Sequence, residues 1–350
     1  MNYAKIVREI KIGLETLQSK ISGRYTRRYF INNFFHKGKR YYIFRYNFGW
    51  GVMGVLKSYV FYYEWAKKEG YIPIIDLDSR YDFINGTMGR ISLWDTLFEQ
   101  EITVQEALKQ KGTIVGAIDQ YDGYLSETVE KYNSEQKPFL QFSQDNWREY
   151  YSDVYKLIAP VWKPKKESIE RVECFIKNYN NMNNVVGVIM REEFSREAHE
   201  QYTGETKERY LKHPLMHSVQ EIIEIVDEYI KKKKCDYIFV SSQYTDTIEK
   251  FVSIFGEKVI YIDRERKRYD YFGVVNDEFN GDDYFRHEKF IKEHQKIYTM
   301  YQQYMEETMI VSKCDYLITG PNSEAIFALG LNKGTYKDVC FLESKNSVTY

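Results

Sequence analysis

The sequence predicts an α/β fold with two sheets of parallel strands, each flanked by helices. Three observations carry this. Short apolar runs alternate with amphipathic runs, which is the signature of successive βα units. The alternation appears in both halves of a 350-residue chain, a length that suits two domains. Two stretches rich in turn-forming residues, "APVWKPKK" (Ala159–Lys166) and "NNMNN" (Asn180–Asn184), offer places to divide them.

The elements follow in order. Tyr41–Tyr46 reads as an aromatic strand. Met53, Leu56, Val60 and Tyr63 then fall on one helix face. "YIPIIDL" (Tyr71–Leu77) is an apolar run bounded by Gly70 and Asp78-Ser79, hence a buried strand, and "GTIVGA" (Gly112–Ala117) is another. "NWREYYSDVYKLI" and "KESIERVECFIKNY" read as helices on either side of the proline-containing stretch. The second half is clearer. "VVGVIM" (Val185–Met190) is a strand, and "HSVQEIIEIVDEYIKKKK" is a helix whose C-terminal lysines complement its dipole. "DYIFVSS" is a strand, "DTIEKFVSIFG" a helix closed by Gly256, and "KVIYID" a strand. A long helical pattern covers Phe290 to Val311. It is followed by strand "DYLITG", a short helix "NSEAIFALG" ending at Gly330, and a last strand in "DVCFLE". The expected division is a basic helical segment over 1–40, one domain over 41–180 and a second over 181–350.

Charge and composition exclude several classes. Lys and Arg total 50 against 51 Asp and Glu, so no global positive charge points to nucleic acid. The four cysteines, Cys174, Cys235, Cys314 and Cys340, form no C-x-x-C pair and have no histidine at ligand spacing. Neither a metal site nor a disulfide framework is expected, and buried thiols in a reducing compartment are. No apolar run reaches the ~20 residues that span a bilayer, and no secretory apolar region opens the chain, so the expectation is a cytoplasmic protein. Charge is nonetheless uneven. Residues 1–40 carry ten basic and two acidic side chains, a net +8. Ile6, Ile10, Leu14, Leu17 and Ile21 form one apolar face there. Such a helix docks on its own domain or makes a peripheral contact with anionic lipid headgroups at the inner face of the membrane.

Ligands of open α/β sheets bind past the carboxyl ends of strands. Those ends here carry Arg191, the hydroxyls Ser241 and Ser242, the basic cluster Arg264-Arg266-Lys267-Arg268, and the helix start Gly320-Pro321-Asn322-Ser323. Asn322 or Ser323 can cap a helix beginning near Glu324, and the N–H groups of that first turn form an anion site. An arginine at a neighbouring strand end can clamp the same anion through two hydrogen bonds. No P-loop is present. "NFGWGVMG" (Asn47–Gly54) has glycines 49, 51 and 54, the letters of a dinucleotide fingerprint, and Asp76 and Asp78 lie near the expected distance, which keeps a nicotinamide dinucleotide reading open. "NDEFNGDD" (Asn276–Asp283) lacks the closing Glu of a calcium loop and reads as a solvated acidic segment.

Six segments in order resemble the fucosyltransferase superfamily that includes protein O-fucosyltransferases, α-1,6-fucosyltransferases and bacterial surface-polysaccharide relatives. "GWGVMGVLKSYVFYYEWAKKEGYIPIIDL" is similar to its glycine turn, helix and strand. "ISLWDTLFEQ" (Ile91–Gln100) resembles the W-x-x-F-E-Q signature of the bacterial branch. "VVGVIMREEFS" falls where the family has a strand ending in H-x-R-G-T-D, followed by "KHPLMHSVQEIIEIVDEYI". "DYIFVSSQYTDTIEKFVSIFGEKVIYIDRERKR" and "EETMIVSKCDYLITGPNSEAIFALGL" match its later blocks. The resemblance covers roughly residues 43–345.

The resemblance implies a GT-B-like pair of Rossmann-like domains and a nucleotide-sugar donor, usually GDP-linked, bound mainly by the second domain. It implies inversion without an obligatory metal, a fucose-like sugar, and a glycan or lipid-linked glycan acceptor, as in capsule or O-antigen synthesis. It places Arg191 on the donor's β-phosphate, with Asn322, Ser323 and Glu324 sharing the task. Gly49 and Gly51 would form a close-approach turn, and Ser242, Gln243 and Arg264 would lie beside the nucleotide. The general base would come from Glu192, Glu193, Glu197 or His199, with Glu197 favoured. The chain departs from the pattern in three places. The family's His is Ile189, its Gly-Thr-Asp is Glu192-Glu193-Phe194, and its T-D-D turn is Ser242-Gln243-Tyr244. The same departures fit a relative that has lost catalysis and binds a glycan or a partner.

Overall fold

The computed structural model describes residues 38–46, 52–77, 92–110, 113–117, 144, 147–192, 217–264, 266, 301–320 and 322–342. Helix-like residues 1–37, Gly49, Gly51, Glu193, Glu197, His199 and the acidic segment at 276–283 lie outside them. The fold is α/β, and the described residues form two compact units. Among them no helix is long and apolar enough to cross a membrane.

The first unit is built on a parallel sheet ordered β2-β1-β3. Its strands are β1 (Tyr41–Tyr46), β2 (Ile72–Leu77) and β3 (Ile114–Ala117). Helix α1 (Val52–Lys68) links β1 to β2. Period-two alternation on β1 sorts its side chains onto two faces. Tyr41 and Ile43 pack with Ile74, Val104 and Ala107. Tyr42 and Phe44 face the rings of α1, with Phe44 5.5 Å from Tyr62 and Tyr42 edge-on to Trp65 at 5.4 Å.

The signature segment "ISLWDTLFEQ" has a structural task here. It contains the short helix α2 (Leu93–Leu97) and leads to α3 (Val104–Lys109). β2 is an edge strand among the described residues, and the Gln100 amide pairs with it as a neighbouring strand would. Ile75 N–H donates to Gln100 Oε1 at 3.0 Å, and Gln100 Nε2 donates to Ile75 O at 3.3 Å. Asp95 accepts from Gln100 Nε2 at 2.6 Å and from Val104 N–H at 3.0 Å, so it ties that clamp to the start of α3. Burial pushes the Asp95 carboxyl above its usual range. Trp94 stacks on Phe98 at 4.3 Å. The proline-containing stretch joins the same segment, because Glu99 N–H donates to Lys163 O and Phe98 bridges antiparallel to Pro164.

The second unit carries five parallel strands in the order β6-β5-β4-β7-β8. They are β4 (Val185–Ile189), β5 (Tyr237–Ser241), β6 (Val259–Ile260), β7 (Tyr316–Thr319) and β8 (Asp338–Phe341). Its helices are α4 (Trp147–Ile158), α5 (Lys166–Asn178), α6 (Val219–Lys233), α7 (Thr245–Phe255), α8 over 301–311, and α9 (Ser323–Asn332). A Ser218–Glu221 capping box starts α6, and lysines 231–233 end it where the sequence pattern placed them. One face of the sheet packs Ile189, Phe239 and Leu317 against α4, α5, α8 and α9. The other packs Val186, Val188 and Ile238 against α6 and α7.

The division between units differs from the boundary expected at residue 180. Residues 147–158 and 166–178 lie with the second unit, and 159–165 with the first. The physical reason is packing. Val172, Phe175 and Ile176 of α5 enter the core of the five-stranded sheet. The "NNMNN" stretch is a tight turn, with Asn180, Asn181, Met182 and Asn184 at φ between 51° and 63°. Asparagine tolerates that region better than most residues, so composition that reads as a linker is here the chemistry of the α5–β4 turn. α4 reaches α9 only because Gly330 has no side chain. A Cβ there would lie 2.7 Å from both Ile158 Cδ1 and Val154 Cγ1. Gly330→Ala is expected to destabilise the protein by about 1–3 kcal/mol through overpacking, read as a lower urea midpoint. An unchanged midpoint would mean that α4 is not seated on α9.

Candidate functional site

In the second unit β4, β5 and β6 run outward on one side of the sheet, and β7 and β8 on the other. The order therefore reverses between β4 and β7. In open α/β sheets the crevice past the carboxyl ends at such a reversal is where ligands bind. Arg191 and Glu192 leave β4 at this point, and α9 begins just after β7.

α9 starts as its sequence allowed, and the choice of cap is settled. Asn322 is the cap, its Oδ1 accepting from Ala325 N–H at 2.9 Å, and its amide donates to Gly320 O at 3.1 Å. Ser323 and Glu324 are then the first two helical residues, whose N–H groups have no intrahelical carbonyl. Arg191 is half-buried, with Nη1 3.5 Å from the Tyr304 hydroxyl on α8. Tyr304 also lies beside the Glu324 carboxyl. The side chains from the exits of β4 and β7 that the sequence nominated are thus brought together through one tyrosine.

Beneath them is a buried polar knot. Glu307 on α8 is fully buried, and Arg264 grips it with both ends of its guanidinium, Nε at 3.0 Å and Nη2 at 2.8 Å. Arg266 adds a third contact at 2.8 Å. Both arginines also donate to Ser242 O, at 2.9 and 3.1 Å. Burial alone would weaken the hold of Arg264 on its proton, but the Glu307 carboxylate outweighs it and the net shift is upward. Ser241 Oγ lies 2.7 Å from Glu324 Oε1 and 3.2 Å from Glu307 Oε2. Ser242 Oγ donates to the buried Glu192 and accepts from Tyr244 N–H at 2.9 Å.

Three nominated residues are engaged inside the protein. The polar atoms of Arg264 and Ser242 are committed to internal partners that fasten the loop after β6 to the exit of β5. Glu192 is buried on Ser242, which removes it from the list of candidate bases. Gln243 is half-buried beside them. Sequence reasoning did not single out Tyr304 or Glu307. A signal was present: Glu307 sits three residues after Tyr304 and three and four before Ile310 and Val311, so a carboxylate lies on the apolar stripe of a helix. Glu307→Gln leaves two buried guanidiniums without their counter-charge and is expected to cost about 3–5 kcal/mol, measured by equilibrium unfolding. A loss well under that would show the knot to be solvated.

No protein-family model matches the chain. No curated protein matches it either. Among solved structures, it is similar to NodZ α-1,6-fucosyltransferase co-crystallised with GDP, with a TM-score of 0.42 and 11% identity over 83% of this chain and 92% of that one. It is similar to POFUT1 in complex with GDP-fucose at a TM-score of 0.41 and 10% identity, over 88% and 99% respectively. A mutant of Arabidopsis thaliana FUT1 in complex with GDP gives a TM-score of 0.43 and 11% identity, over 90% and 73%.

Proposed function

We propose that this chain is a glycosyltransferase that uses a nucleotide diphosphate sugar, GDP-linked in the first instance, and passes a fucose-like sugar to a glycan. The observation that carries this reading is the placement of Arg191 at the exit of the central strand, beside the strand-order reversal and the capped start of α9. A guanidinium and a helix N-terminus are together a site for a diphosphate. The ordered resemblance of six sequence segments to fucosyltransferases supplies the sugar and the nucleotide.

In the proposed reaction an acceptor hydroxyl attacks the anomeric carbon from the face opposite the diphosphate. The carbon–oxygen bond to the β-phosphate breaks, and the acceptor proton passes to a base. Arg191 and the N–H groups of Ser323 and Glu324 stabilise charge on the departing diphosphate, which provides electrostatic catalysis without an obligatory metal. Glu197 is the favoured base, with Glu193 and His199 as the alternatives. Gly49 and Gly51 keep their proposed place as a close-approach turn.

A thermal-shift panel of GDP, UDP, dTDP, CMP and NAD tests this reading. A nucleoside diphosphate at 100 times its Kd adds ~2.7 kcal/mol of stability. Arg191→Ala is expected to weaken that nucleotide roughly 10- to 100-fold, the loss of a charged hydrogen bond. A panel in which none of the diphosphates stabilises the protein sinks the proposal, and stabilisation by NAD alone replaces it with the dinucleotide reading. Binding of GDP without sugar transfer to any glycan identifies a lapsed enzyme, the alternative favoured by the buried Glu192 in place of the family's glycine.

We further propose a surface-polysaccharide role at the inner membrane face, from the net charge of +8 over residues 1–40. Deleting residues 1–22 is expected to lower sedimentation with anionic vesicles at low salt. Equal sedimentation of the two proteins would discard the membrane contact.

A further inference from the structure

Glu324 is the second residue of α9 and is fully buried at the exit of the sheet. One carboxyl oxygen lies 2.7 Å from the Ser241 hydroxyl, while the other, Oε2, is buried and makes no well-formed hydrogen bond. An ionised carboxylate in that setting would be cut off from solvent. The groups facing it are Arg191 from β4, Ser241 from β5, Tyr304 and Glu307 from α8, Arg264 from the loop after β6, and Tyr336 beyond α9. Glu307 is already the counter-ion of Arg264 and Arg266, and it repels a second negative charge at Glu324.

We propose that Glu324 is held as a neutral carboxylic acid, and that this proton keeps the exit of β4 and β7 cationic enough to accept a diphosphate. Among the described residues Arg264 and Arg266 share the single carboxylate of Glu307, and Arg191 lies on the same side of Glu324. Ionised, Glu324 adds a negative charge next to the incoming phosphates. Burial is the first cause that pushes this carboxyl up to about 8, with Glu307 adding to it and Ser241, Tyr304 and Arg191 opposing it. A carboxyl kept neutral by its surroundings can also serve as a hydrogen-bond donor, and Oε2 is the atom free to carry the proton. The second half of the proposal rests on the nucleotide reading of the site, whereas the neutrality of Glu324 does not.

The sign of the linkage is fixed. A folded-state value raised from 4.5 to about 8 gives stability that is complete below about 4.5 and is lost as pH rises through about 8. Without ligand, the unfolding constant of wild type relative to Glu324→Gln is therefore expected to rise roughly tenfold per pH unit between pH 5 and 8. With ligand, calorimetric titration of GDP and of inorganic pyrophosphate should show wild-type affinity falling about tenfold from pH 7 to 9, while Glu324→Gln stays flat. Ser241→Ala removes a hydrogen bond that favours the ionised form, so it moves the wild-type fall to higher pH and covers the case in which Glu324→Gln does not fold.

A wild-type to Glu324→Gln stability gap that is independent of pH overturns the proposal, as does a Ser241→Ala profile that moves to lower pH. A gap that widens with pH, while neither GDP nor pyrophosphate binds at any pH, keeps the neutral Glu324 but removes its role toward a diphosphate together with the nucleotide reading.

Discussion

The carboxylate of Glu307 is the constraint on which the second unit's upper edge depends. It lies on a helix face that otherwise buries apolar side chains, so it had to be paired or expelled. Two arginines from the loop after β6 pair it, and each also donates to the backbone of Ser242. One buried charge thereby fixes three strand exits at once: β5 through the carbonyl, β6 through its following loop, and β7 through the helix that precedes it. The groups above this knot, Arg191, Tyr304 and Glu324, inherit their positions from it. An isolated buried ion pair is weak evidence for stability, but a carboxylate shared by two guanidiniums and a hydroxyl is well satisfied, and its value here is positional.

The two units place their polar groups differently. In the first, Gln100, Asp95 and Ser92 are spent on closing the edge of β2 and starting α3. An open parallel edge is a liability, and a side-chain amide that mimics a strand is one way to blunt it. That segment is one of the six that carry the sequence resemblance, yet among the described residues its polar atoms hold backbone. Resemblance there speaks for fold. The polar groups of the second unit converge past strand ends, which is where chemistry has room to occur.

Much of this was legible in the sequence. Every described strand from Tyr41 to Phe341 follows from apolar runs bounded by turn residues, and local chemistry narrowed the cap of α9 to Asn322 or Ser323. Arg191 was visible because a guanidinium directly after five apolar strand residues has few structural excuses. Which unit α4 and α5 join was not legible, since α5 is amphipathic in any setting and only packing decides which sheet receives Phe175 and Ile176. The internal partners of Arg264 and Ser242 were not legible for a related reason. A basic cluster after a strand looks like a ligand site until its partner, 43 residues further on in the case of Glu307, folds back onto it.

Core packing sets the tolerance of the candidate site. α8 lies against β4 at Gly187, where a Cβ would meet Val311 Cγ1 at 3.1 Å and Cys314 Sγ at 3.2 Å. Val311 is one turn beyond Glu307 and two beyond Tyr304 on the same helix. Any side chain at 187 pushes that helix from the sheet by a few tenths of an ångström, because interiors pack densely and have little free volume to absorb it. The Arg191–Tyr304 contact at 3.5 Å and the Ser241–Glu307 contact at 3.2 Å are already long, and hydrogen bonds at that length weaken quickly with further separation. The arginine pair on Glu307, at 2.8 Å, would follow the helix, since both guanidiniums sit on a loop. A strand glycine with no polar atom in the site thus governs how closely Tyr304 approaches Arg191, while the salt-bridged knot holds the helix in register around it.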